Sequence, residues 1–87
     1  MKHASAITIQ NLDSLISEIR LFPGLKEKKP GTFYFKSQAF LHFHEHGEQL
    51  FADIKMNGDW VRYEVSHSGF YRPLLDAVQV ALAPDSK

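Results

Sequence analysis

The stretch Leu50-Phe51-Ala52-Asp53-Ile54-Lys55-Met56-Asn57-Gly58-Asp59-Trp60-Val61-Arg62-Tyr63-Glu64-Val65 decides the fold. Asn57-Gly58 suits a type I′ hairpin turn, because both central residues of that turn need positive φ. Folding the chain there pairs Met56 with Asp59, Ile54 with Val61, Ala52 with Tyr63 and Leu50 with Val65. Side chains alternate across a strand, so Leu50, Ala52, Ile54, Val61, Tyr63 and Val65 share one side. Asp53 and Arg62 become cross-strand partners on the other.

Working outward, a turn at His46-Gly47 pairs His44 with Gln49, Phe43 with Leu50 and Leu41 with Ala52. Leu41 and Phe43 then join the apolar side. A turn at Ser37-Gln38 adds Tyr34 to it, whereas moving that turn by one residue sends Phe33 and Phe35 to the helix side instead. The expected strands are 32–36, 39–45, 49–56 and 59–65, a four-stranded antiparallel meander. A one-residue slip would exchange the faces, so the agreement of the two longer hairpins carries weight.

Leu12, Leu15, Ile16 and Ile19 recur at helical spacing, with Asn11 as the expected N-cap and Pro23-Gly24 as the stop. Ala6 to Ile9 reads equally as a short strand or as more helix. Leu25 to Gly31, with Lys26, Lys28 and Lys29, reads as a solvated connector ending at Pro30-Gly31. Tyr71, Leu74, Leu75, Val78 and Leu82 form a second helical stripe, starting between Ser68 and Pro73 and ended by Pro84. Two amphipathic helices covering one side of the meander make a single α+β domain over residues 1–87.

Ten basic and ten acidic residues in 87 leave no formal net charge, which disfavours nucleic acid and anionic membranes as partners. The absence of cysteine excludes disulfides, thiolate metal sites and a cysteine nucleophile, and fits a cytoplasmic protein. No apolar run reaches the roughly 18 residues of a membrane helix, and Met1-Lys2-His3-Ala4-Ser5 leads into no signal sequence. The chain contains no G-x-S-x-G, P-loop or G-x-G-x-x-G, and Ser66-His67-Ser68 is adjacency rather than triad geometry. An enzyme therefore has no positive support, and Ser66 or Ser68 reads as a cap or turn residue.

The side facing away from the helices is expected to carry Phe33, Phe35, Phe40, His42, His44, Phe51, Asp53, Lys55, Trp60, Arg62 and Glu64. That many rings in water would be a solubility hazard. The first functional reading is accordingly a non-enzymatic, self-associating interaction module, a homodimer burying Phe33, Phe35, Phe40, Phe51 and Trp60. The rival is a small-molecule or metal-binding protein using His42, His44, Asp53, Arg62 and Trp60. His42 and His44 lie on one face of a strand, and neutral imidazoles suit zinc or another divalent transition metal. Asp53 is the candidate third ligand. His46 falls in a turn, Glu45 points the opposite way, and His67 can join only through the fold. In the plainer alternative, His42 and His44 stack with Phe33 and Phe51.

The run Gly31-Thr32-Phe33-Tyr34-Phe35-Lys36, followed by Phe40-Leu41-His42-Phe43-His44, resembles small uncharacterised bacterial proteins of unknown function. The resemblance spans the central half of the chain and implies no activity or site.

Overall fold

The computed structural model describes residues 2–83, so Pro84, expected to end the last helix, lies outside the described residues. The elements run β1 (Lys2–His3), α1 (Ala6–Asn11), α2 (Asp13–Ile19), β2 (Leu25–Lys29), β3 (Thr32–Phe35), β4 (Gln38–His46), β5 (Gln49–Met56) and β6 (Asp59–Glu64). A short 3₁₀ turn (Ser68–Phe70) leads into α3 (Tyr71–Leu82). The chain is α+β with an antiparallel sheet, in which β2 to β6 lie side by side in chain order. β1 pairs with β4 as well, beside the end of β3.

The Asn57-Gly58 hairpin has the expected pairing from Met56–Asp59 to Ala52–Tyr63, and both turn residues have positive φ (52° and 86°). The β4–β5 turn is Gly47-Glu48 rather than His46-Gly47, so Phe43 faces Ala52 and Leu41 faces Ile54. Each residue of β4 thus meets a partner two places further along than expected. An even shift preserves the faces. Leu41, Phe43, Ala52, Ile54 and Val65 are all buried, packed with Leu12, Leu15, Ile16 and Ile19 of the first helical segment and with Leu74, Leu75, Ala77 and Val78 of α3.

Four expectations need correction. The first helical segment begins earlier than Asn11: Ser5 is the N-cap, its Oγ accepting the Thr8 amide at 3.3 Å. Asn11 is the last residue of α1, and a break at Leu12 (φ −95°, ψ 15°) precedes α2. Residues 6–9 are therefore helical. The lysine-rich connector is also a strand: β2 pairs Leu25 with Phe35, Lys26 with Tyr34 and Glu27 with Phe33. Leu25 and Glu27 turn inward and are half-buried, whereas the lysines stay exposed, which suits an outer strand.

The third correction concerns the β3–β4 turn, which uses Lys36-Ser37, both at positive φ (54° and 69°). β3 also meets a bulge: Tyr34 faces Ala39 and Phe33 faces Leu41, leaving Phe40 as the extra residue. A bulge lets neighbouring side chains leave on one side, so Phe40 and Leu41 both enter the core. Phe33 (1% exposed) and Phe40 (5%) are core residues, Phe35 packs against the same cluster, and Tyr34 takes the opposite face.

The fourth follows from the third. Phe33 and Phe40 are buried on the covered side, and Phe35 is half-buried on that side against the same cluster. Of the rings assigned to the bare face, Phe51 and Trp60 remain, with Trp60 43% exposed.

Two local devices hold the sheet to the helices. Glu45, pointing to the helix side as its register requires, accepts bonds from the Ser5 amide (3.1 Å) and the Thr8 hydroxyl, fixing the start of α1. At Gly31 the positive φ (79°) demands glycine, and a Cβ there would stand 2.6 Å from Ile9 Cδ1, which would have to turn aside. No helix among the described residues is long and apolar enough to cross a membrane.

Candidate metal centre

β4 and β5 bring His42 opposite Asp53 and His44 opposite Phe51, and β6 brings Arg62 opposite Asp53. β1 then places His3 beside His44, secured by the Ala4 amide donating to the Phe43 carbonyl at 3.1 Å. His3, His42 and His44 therefore converge on the side away from the helices. Each offers a ring nitrogen, and the three nitrogens lie within 4.8 Å of one another. Ring centroids are 4.7 Å apart for His3–His44 and His42–His44, and 5.9 Å for His3–His42. Nitrogens sharing one tetrahedral zinc, at about 2.05 Å from the ion, stand roughly 3.3 Å apart.

Behind the imidazoles lies an ordered carboxylate. Asp53 is 7% exposed and accepts two bonds from the Arg62 guanidinium, Nε to Oδ1 at 2.7 Å and Nη2 to Oδ2 at 2.8 Å. Its Oδ2 also lies 3.3 Å from His44 Nε2. The hydrogen bonds from Arg62 hold the Asp53 carboxyl below the ordinary aspartate range, outweighing burial, which acts in the opposite direction. An ionised carboxylate behind a histidine fixes the ring's orientation and raises its basicity as a ligand. Asp53 lies beside His44 with both oxygens bonded to Arg62, and the three side chains whose ligand atoms converge are His3, His42 and His44.

His42 is partly buried. Its ring packs on Trp60 (centroids 4.6 Å), and its Nδ1 is buried without a hydrogen-bond partner among the described residues. Burial first, then the neighbouring His44, pushes its pKa below the ordinary histidine range, so the ring stays neutral at pH 7 with a lone pair to donate. An enclosed polar nitrogen left unbonded is costly, and a bound ligand would remove that cost. Phe51 is covered by the Arg62 guanidinium (5.6 Å to the ring centre) and Trp60 by Lys55 (4.9 Å). The expected stacking of histidine on Phe33 does not occur, because Phe33 is on the other side of the sheet.

The other candidates stay apart. His46 sits exposed at the β4–β5 turn, and His67 packs on Phe70 (5.7 Å). Ser66 has no histidine partner: its Oγ accepts the Leu50 amide and donates to Glu64, both at 2.9 Å, closing the end of the β5–β6 ladder. His3 is the member that sequence reading missed. Its only signal is an extended tripeptide ahead of the Ser5 cap, and nothing local says that it pairs with β4.

No protein-family model, curated protein or solved structure matches this chain. Functional inference therefore rests on the geometry of the site.

Proposed function

We propose that this protein binds one divalent transition-metal ion through His3, His42 and His44, with Asp53 and Arg62 orienting His44. The convergence of three imidazole donors within 4.8 Å, contributed by two separate strands, carries this reading. An all-nitrogen set of neutral imidazoles favours zinc, nickel or copper(II) over magnesium or calcium, which take oxygen. Three protein ligands leave a position on a tetrahedral ion for water or a further ligand. Self-association through the aromatic face is the weaker reading, since of the five rings it invoked Phe33 and Phe40 lie in the core and Phe35 packs against it.

The test is zinc uptake by protein carrying no histidine tag, followed by calorimetry and metal analysis. One ion per chain is expected, lost in His42→Ala and His44→Ala and retained in His67→Ala. Protein that takes up no zinc, or takes it up equally after both substitutions, overturns the assignment.

A further inference from the structure

Across β3 from the imidazoles, β2 departs from regular pairing. Lys26 faces Tyr34 and Glu27 faces Phe33, but Lys29 faces Thr32, so Lys28 is the extra residue of a bulge. Bulges re-aim side chains, and this one brings Lys28 and Lys29 to the wall of a single groove of about 610 Å³. His3 and His42 line the same groove from the opposite side of β3, and Ala4, Ala39 and Tyr34 supply apolar lining between. Its volume lies within the range of small-molecule sites.

The charge in this groove is one-sided. Among the described residues its lining contains no carboxylate. The single acid of β2, Glu27, turns to the helix side, where it accepts bonds from Arg20 (Nη2 to Oε2, 3.0 Å) and from the Gly31 amide (2.8 Å). Neither Lys28 nor Lys29 makes an ion pair with a described residue; Lys28 lies over the Tyr34 ring at 4.6 Å. A chain of zero net charge has thus concentrated uncompensated positive charge beside an apolar lining.

We infer that this groove binds a small organic anion, a phosphate or carboxylate on a compact apolar body, with the acid group held by Lys28 and Lys29 and the body lying on Ala39 and Tyr34 towards His42. The groove is far larger than a bare phosphate, so the apolar body contributes to binding as the lysines do. The site shares His3 and His42 with the metal centre but needs no ion there.

Amide resonances of metal-free protein are followed while phenyl phosphate, benzoate and phenol are added separately. Saturable shifts at Lys28, Lys29, Thr32 and Tyr34 are expected with the two anions and not with phenol, the tighter anion identifying the acid group. Lys28→Ala combined with Lys29→Ala should weaken binding roughly tenfold or more, the scale of losing hydrogen bonds to a charged group. Arg72→Ala, on the exposed side of α3, should leave it unchanged. Shifts that never saturate, phenol binding as well as phenyl phosphate, or lysine substitution without effect would each overturn the inference. Because no metal is present, failure here is separate from failure to take up zinc.

Discussion

The two sides of β4 are built on different principles. Towards the helices it presents Phe40, Leu41 and Phe43, side chains held by shape and dryness, each replaceable by another apolar group of similar volume at modest cost. Away from them it presents His42 and His44, in ring contact with each other and with His3 and Trp60, and with Asp53 3.3 Å from His44. The covered side supplies the buried apolar contacts, and the bare side gathers imidazoles, a carboxylate and a guanidinium. One strand serves both because successive residues point in opposite directions, so substitutions on one side should leave the other's property largely intact.

The largest effect expected from breaking that division is on the covered side. Phe33→Ala should cost about 3–5 kcal/mol by denaturant unfolding, the usual range for emptying a buried phenylalanine site, while zinc affinity of the folded protein changes little. If Phe33 were an interface residue instead, the same substitution would alter association and spare stability. On the bare side, Asp53→Asn should lower zinc affinity by roughly 10–100-fold, the usual effect of losing a carboxylate behind a ligating histidine. Calorimetry of the variant checks this, and unchanged affinity would remove Asp53 from the centre.

Smaller effects sharpen the contrast at the margins. Ser37 has φ 69° without being glycine, and the left-handed conformation costs about 1–2 kcal/mol for a residue with a Cβ. Ser37→Gly should therefore raise the unfolding midpoint slightly without touching the groove or the imidazoles. Smallest is the acid limb of the stability curve. Glu27 is held below the ordinary glutamate range by its hydrogen bond from Arg20, helped by the Gly31 amide and opposed by burial. Its contribution is complete above the unfolded-state value and disappears as pH falls through the lower folded value. Thermal melts between pH 7 and pH 3 should show Glu27→Gln less acid-sensitive than the parent chain.

Legibility in the sequence followed the strength of local rules. Asn57-Gly58 has one good structural use, and its hairpin was readable residue by residue, including the Asp53–Arg62 pair. The β4–β5 turn was misplaced, yet the faces survived because an even shift leaves alternation intact. Around β3 the same reasoning failed. Lys36-Ser37 does not look like a turn needing two positive φ values, and an unannounced bulge at Phe40 reverses the side taken by every residue before it. β2 was hidden because lysines that protect an outer strand look like lysines in a loop. The histidine cluster was half visible: His42 and His44 follow from alternation, whereas His3 depends on a long-range pairing that no local pattern encodes.

The two residues of β1 have a consequence for how an occupied centre would behave. His3 reaches the cluster only while the beginning of the chain is zipped to β4 through the Ala4 amide. Ion capture and the docking of that first segment are then a single linked equilibrium, each favouring the other in equal measure. Proton exchange at the Ala4 amide should slow as zinc is added, so the chain's opening residues act as a latch whose closure can be read at one backbone position.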